Sequence, residues 1–231
     1  MNRRRSEFAG EVRRLWPLVG LLLVLPFASA AQRGWSVAVQ VTPLAEQTNY
    51  PRRVFYPNSD GQIVEPIYLS GIRWATGVQG GFTAQYGFAP GWSVSAGVGY
   101  RQFSTQQARL GNDGTTTINS RAVRVPVLLN FQSSKKRLSP YFTVGTLLDF
   151  PLSSRVTVRR TDQPVQQLTL DTERGPVFYL MAGAGGRYRF SDRYALVIQP
   201  VLNYKAGRFG DSRSHNPAVE VGLQTQVSYS F

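Results

Sequence analysis

Hydrophobic and polar residues alternate one by one along most of this chain. The segment 219–231 shows the pattern most clearly, because its odd-numbered positions are apolar except for Thr225 and its even-numbered positions are small or polar. Successive side chains of a β-strand point to opposite faces, so the segment predicts a strand with one apolar and one polar face. A strand with lipid outside and a polar lumen inside needs that arrangement, and a half-buried strand of a soluble sheet shows it too.

The alternation recurs often enough to favour the membrane interpretation. Each recurrence covers roughly the 9 to 11 residues that a tilted strand needs to cross a bilayer. Counting the last segment, eight strands are predicted, at 35–42, 77–88, 92–101, 123–131, 142–150, 178–190, 196–205 and 219–231. We therefore expect an all-β fold, an eight-stranded antiparallel up-and-down transmembrane β-barrel.

The connections between the predicted strands alternate in length. Those at 89–91, 133–139 and 191–193 are short, whereas those at 43–73, 106–120, 153–175 and 207–217 are long. Outer-membrane barrels have short periplasmic turns and longer extracellular loops. The order therefore predicts an outer-membrane barrel with both termini in the periplasm.

The first thirty residues resemble an export signal. Five arginines accompany an apolar stretch at 15–27, and Ala28-Ser29-Ala30 matches the A-x-A pattern of signal peptidase sites. The stretch is shorter than the roughly 20 apolar residues of a membrane-spanning helix, which favours cleavage over a retained anchor. We predict cleavage after Ala30, which leaves one barrel domain over 31–231.

Two prolines interrupt the predicted strands. Pro126 and Pro200 lack the N–H that a central strand donates, so we expect a bulge or a local gap in pairing at each. The surrounding residues, 124–131 (RVPVLLNF) and 199–204 (QPVLNY), resemble the proline-bearing strands of the PorT-like outer-membrane β-barrel family. That family is similar in architecture to the small OmpA/OmpX class. The resemblance implies an outer-membrane location and admits a role in secretion across that membrane.

Composition and charge narrow the possible partners. The formal net charge is +13, but no nucleic-acid motif accompanies it, so we expect no nucleic-acid partner. With no cysteine and one histidine, a dedicated transition-metal site is not expected, and no cofactor is predicted. The absence of cysteine also excludes a lipid-anchored lipoprotein.

The predicted lumen contains ionisable residues. An eight-stranded barrel is just wide enough for side chains to fill it, which argues against a wide pore. We expect the charges to pair with one another, because an unpaired buried charge costs several kcal/mol or more. The excess of cations over acids leaves open a narrow anion passage or a ligand cavity. The six residues of this predicted lumen network are Arg101, Arg124, Asp149, Arg187, Lys205 and Glu220.

The predicted long loops are rich in arginine, which binds phosphate in a bidentate manner. Contact with outer-membrane lipid and lipopolysaccharide phosphates is therefore expected. The first loop also carries Phe55 and Tyr68, which form either a partner surface or, as we favour, an extension of the strands. The arginines assigned to phosphate contacts are Arg52, Arg53, Arg155, Arg159, Arg160 and Arg213.

A catalytic role would rest on the single histidine, His215, which follows Ser214 in the last loop. Lipid A deacylases built on small barrels carry a serine two positions after the histidine, and Pro217 stands there in this chain. We therefore predict a non-enzymatic outer-membrane protein with a structural, docking or secretion-associated role, and another envelope protein as a partner. The alternatives are a narrow channel or ligand-binding barrel, and then a lipid A-modifying hydrolase.

Overall fold

The computed structural model describes residues 34–55, 67–108, 114–160, 165–170, 175–208 and 218–231. All regular structure in these ranges is β-strand. No helix in this part of the chain is long and apolar enough to span a bilayer. The strands are β1 (Gly34–Phe55), β2 (Ile67–Ala89), β3 (Trp92–Ala108), β4 (Gly114–Gln132), β5 (Leu138–Arg160), β6 (Gln166–Leu170), β7 (Val177–Arg189), β8 (Tyr194–Arg208) and β9 (Ala218–Ser230).

Eight of these strands form a closed ring. The pairing order is β1-β2-β3-β4-β5-β7-β8-β9 and returns to β1, with every neighbouring pair antiparallel. On β1, Val39 is paired with Phe82 on one side and with Val227 on the other, which closes the cylinder. The short strand β6 pairs with the outer half of β5. The predicted eight-stranded antiparallel barrel is confirmed.

The two faces of the barrel wall are sorted as the alternation predicts. On β1, the side chains of Val37, Val39 and Val41 are 46–51% exposed, whereas the intervening Gln40 is 4% exposed. Aromatic residues cluster at the end of the barrel that carries the short turns, where Trp35 packs on Tyr86 with ring centroids 5.1 Å apart. An exposed apolar band bordered by aromatic residues is the lipid-facing surface of an outer-membrane barrel.

Both prolines produce the expected local gaps in pairing. Pro126 keeps its partner on β5, while the pairing of β3 with β4 is interrupted beside it, between positions 127 and 124. Pro200 keeps its partner on β9, while the pairing of β7 with β8 is interrupted between positions 201 and 198. Each proline therefore removes hydrogen bonds to one neighbour without shifting the register.

The prediction of long loops is largely wrong, because the strands continue through much of the segments assigned to them. β1 and β2 remain paired out to Phe55 and Ile67, and β4 and β5 remain paired out to Gly114 and Arg160. Outside the lipid, the outward face no longer needs apolar side chains, so the alternation fades while the backbone ladder continues. Tyr68 pairs with Val54, which places Phe55 and Tyr68 in the strand extension that we favoured.

The short turns are confirmed, and Gly91 adopts a φ of 77° in the first of them. The segments 56–66, 109–113, 161–164, 171–174 and 209–217 lie outside the described residues, as do residues 1–33. The export signal and cleavage after Ala30 therefore stay predictions.

Candidate functional site

Side chains fill the middle of the barrel in three layers. The layer nearest the turns consists of hydrogen-bonded amides and hydroxyls, and the layer farthest from the turns is a cluster of charges. An apolar layer of Leu128, Leu147, Met181 and Val201 lies between them and continues beside the charges through Tyr179 and Val177.

The amide layer crosses the lumen as a chain of hydrogen bonds. Gln224 Nε2 donates to Gln40 Oε1 over 2.7 Å, and Gln199 Nε2 donates to Gln224 Oε1 over 3.1 Å. Gln199 Nε2 also donates to Thr143 Oγ1 over 3.2 Å, which extends the chain from β1 and β9 to β5. All four side chains are less than 5% exposed, so the layer leaves little room for water.

A small cavity lies between the amide and apolar layers. Its volume is about 10 Å³, and its lining includes Gln40, Leu128 and Met181. This volume holds about one water molecule. The described part of the lumen is therefore blocked at mid-height.

Arg124 is the centre of the charged cluster. It is fully buried, and its guanidinium forms a bidentate pair with Asp149, from Nε to Oδ1 over 2.5 Å and from Nη2 to Oδ2 over 2.7 Å. The two residues are also paired across β4 and β5. Nη1 donates to Glu220 Oε2 over 3.0 Å and to Gln79 Oε1 over 2.9 Å. One guanidinium thus joins side chains from four strands.

Arg101 on β3 connects the same carboxylates to a third one. Its Nη1 donates to Asp149 Oδ2 over 2.6 Å and also to Glu220, and its Nη2 donates to Glu46 Oε2 over 3.2 Å. The rings of Phe103 and Tyr179 pack against the guanidinium carbon of Arg101, with centroids at 4.5 and 5.2 Å. These apolar faces exclude water and strengthen the ion pairs.

The charge balance of the cluster differs from the expectation. Two arginines meet three carboxylates, Glu46, Asp149 and Glu220, which gives a formal charge of −1. With Glu46 added, the predicted lumen network has four cations and three carboxylates, so its excess of cations is smaller than the sequence predicts. Glu46 was missed because it falls in an apparent loop, although it continues the inward, even-numbered row of β1 beyond Thr42.

The other two residues of the predicted lumen network lie apart from this cluster or at its edge. Lys205 is on β8, in register with Tyr179, and its side chain is not free. Arg187 lies near the turns, where its Nη1 donates to Gln132 Oε1 over 2.9 Å. The structure therefore brings together Arg101, Arg124, Asp149 and Glu220 and leaves Arg187 elsewhere.

The arginines assigned to loops lie mostly on strands, which corrects the loop assignment. Arg155 and Arg159 are on the extension of β5, with exposed side chains. For Arg52 and Arg53 on β1 and Arg160 on β5, the structure describes the backbone only. These arginines lie on strands because β1 and β5 continue beyond the lipid band. Arg213 lies outside the described residues.

No group of three or more His, Cys, Asp or Glu residues in the described ranges is placed to hold a metal ion. His215 and its neighbours in 209–217 lie outside those ranges. The interpretation as a hydrolase therefore stays an untested alternative.

Three solved structures are similar to the chain in overall fold. Neisserial surface protein A is 12% identical, with a TM-score of 0.47 over 85% of this chain and 97% of that chain. OprG from Pseudomonas aeruginosa is 13% identical, with a TM-score of 0.42 over 87% and 98%. The attachment invasion locus protein Ail of Yersinia pestis, solved with the heparin analogue sucrose octasulfate, is 13% identical, with a TM-score of 0.39 over 87% and 100%. These values are too low to inform the function of this chain.

No curated protein matches the chain in sequence. The family model described as the outer membrane protein beta-barrel domain matches residues 18–231. This match covers every strand of the ring and agrees with the exposed apolar band. The chain belongs to the family of the outer membrane protein beta-barrel domain, and it is an outer-membrane protein.

Proposed function

We propose that this protein is a sealed, non-enzymatic barrel that anchors a docking surface on the outer membrane. The observation that carries the proposal is the blocked lumen, in which the charged cluster, the apolar layer and the amide layer leave a cavity of about 10 Å³ at mid-height. A barrel whose interior is filled by paired side chains offers a rigid support and no path for solutes.

The blocked lumen predicts that the purified barrel does not conduct. In planar bilayers, we expect no stable current steps above the baseline of a protein-free membrane, because ions would have to displace the ion pairs of Arg124. Insertion is verified by protease protection of the barrel in the same lipid. Stable, anion-selective steps would instead support the alternative of a narrow anion channel.

The surface for docking is the outward face of β4, β5 and β6 beyond the lipid band. Side chains on this face are polar, and its described residues include three arginines and no acid, namely Thr115, Thr117, Asn119, Arg121, Arg155, Thr157, Arg159, Gln167 and Thr169. On the opposite face of β5, Val156 is 0% exposed, so the extension of β5 has a buried inner face and an exposed outer face. A basic, hydroxyl-rich surface at this height favours the phosphates and sugars of lipopolysaccharide.

We expect this face to bind lipopolysaccharide through Arg155 and Arg159. In nanodiscs, the double variant Arg155→Gln and Arg159→Gln should bind purified lipopolysaccharide about fivefold to tenfold more weakly than wild type, because two charge-assisted contacts are lost. The matched control is the pair Lys136→Gln and Arg137→Gln, exposed cations at the turn end. Equal losses in the two double variants would show that only net charge matters and would reject this surface.

The proposed orientation places the turns and both termini in the periplasm and the strand extensions outside the cell. The support is the length of the described strands, since β1, β2 and β5 have 22, 23 and 23 residues. A strand needs only roughly 9 to 11 residues to cross the bilayer, so one end projects far beyond it. The resemblance of the proline-bearing strands to the PorT-like family suggests secretion-associated components as protein partners of the docking surface.

A further inference from the structure

The turn end of the barrel is strongly basic. Among the described residues at this end, Asp192 is the one acidic side chain. The same end carries six cations, namely Lys135, Lys136, Arg137, Arg187, Arg189 and Arg193. This charge is separate from the strand extensions at the other end and takes no part in the central cluster.

Inside this end, the barrel opens into a cup. Its volume is about 510 Å³, within the range of roughly 300 to 1,000 Å³ that small-ligand sites occupy. Lys135, Arg187 and Arg189 line the cup, and no Asp or Glu side chain of the described residues does. A carboxylate on Phe231, which lines the rim, would lower that positive excess by one and leave it positive.

Arg187 is the cation nearest the inside of the cup. Its side chain is half-buried, and its Nη1 donates to the neutral Gln132 Oε1 over 2.9 Å. Within the described part of the chain, no carboxylate forms an ion pair with it. By contrast, Arg124 in the same lumen is enclosed by Asp149 and Glu220. The cup therefore holds an arginine whose charge the neighbouring protein groups do not neutralise.

We propose that the turn-end cup is a binding site for a small multivalent anion that carries phosphate or carboxylate groups. The guanidinium of Arg187 makes the bidentate contact inside the cup, and Lys135 and Arg189 bind further anionic oxygens at the rim. Polar groups of Gln85, Ser93 and Tyr141 line the same wall, where Gln85 Nε2 donates to Ser93 Oγ.

Two features of the barrel support a bound ligand over a transported one. The amide layer of Gln40, Gln199 and Gln224 blocks the lumen above the cup, so an anion that enters from the turn end stops there. The walls of the cup have a low dielectric constant, which concentrates the field of the three cations at its mouth. A single negative charge would leave this field partly unneutralised, so a multivalent anion is preferred.

The test uses the full barrel in nanodiscs of zwitterionic lipid, titrated calorimetrically with pyrophosphate, citrate and acetate. We expect saturable one-to-one binding of a multivalent anion and binding of acetate that is weaker by about tenfold or more. Arg187→Gln should weaken binding of the multivalent anion by about tenfold, whereas Arg187→Lys should lose less, because it keeps the charge but not the bidentate geometry. Tighter binding of pyrophosphate would assign a phosphorylated ligand, and tighter binding of citrate a polycarboxylate.

The matched control is Lys136→Gln, which removes a cation from the same turn outside the cup and should change the affinity by less than about twofold. Far-ultraviolet circular dichroism and protease resistance show that each variant remains folded. Wild-type affinity in Arg187→Gln, or a folded wild-type barrel that binds neither pyrophosphate nor citrate, would overturn the proposal.

Discussion

Replacing Arg124 with methionine is expected to lower the free energy of unfolding by about 3–5 kcal/mol, the range found when one partner of a buried ion pair is removed. The substitution keeps much of the side-chain volume but deletes the donors to Asp149, Glu220 and Gln79. Of the five charged side chains, Arg101 is then the one cation with three carboxylates, so the formal charge of these groups changes from −1 to −2. The measurement is reversible urea unfolding of the barrel in lipid vesicles.

The control lies on the same strand. Arg121 is exposed, and Arg121→Met should change stability by no more than about 0.5 kcal/mol. Adding Glu220→Gln to Arg124→Met returns the formal charge of the cluster to −1. Because the two side chains are in contact, the double variant should be more stable than the sum of the two single effects predicts. Additive losses, or equal losses for the two arginine variants, would contradict the central role of Arg124.

The positions of the ring strands could be predicted because lipid restricts one face of each strand to apolar residues. The predicted segment 219–231 corresponds to β9 at Ala218–Ser230, with Glu220, Gln224 and Ser228 buried on the inner face. The two prolines could also be interpreted from the sequence, since the missing N–H has the same consequence in any central strand.

The outer halves of the strands could not be recognised by the same means. Beyond the lipid, both faces of β4 and β5 tolerate polar residues, as Thr117 and Thr157 show on the outward face. The inner face keeps its two-residue period there, and Glu46 lies in register with Glu220 on β9. Following the even-numbered row of β1 past Thr42 would have found Glu46.

The contacts between side chains inside the lumen could not be predicted from the sequence, for a geometric reason. Alternation shows which side chains face inward, but not which of them meet across the cylinder. Arg101 and Glu220 are 119 positions apart in the sequence and are joined only because β1 pairs with β9 to close the ring. The division of the lumen charges into a central cluster of ion pairs and a cationic cup follows from this closure.

Placing an arginine in the middle of the apolar band tests whether that band faces lipid. On β8, Ile198 is 45% exposed and lies between two exposed tyrosines, Tyr194 and Tyr204. Ile198→Arg should destabilise the barrel in a bilayer by about 2–4 kcal/mol, because the charge sits near the midplane of the hydrocarbon. Refolding equilibria in phospholipid vesicles measure this difference directly.

The comparison variant is Ala206→Arg, on the same strand and face but two residues beyond Tyr204. A charge at this depth can reach water, so the expected cost is about 0–1 kcal/mol. Replacing a half-exposed side chain removes little packing within the barrel. The difference in stability between the two variants therefore shows whether the outer face of the wall contacts lipid or water at each depth. Equal costs would mean that the apolar band packs against protein, and the membrane-facing assignment of this surface would then fail.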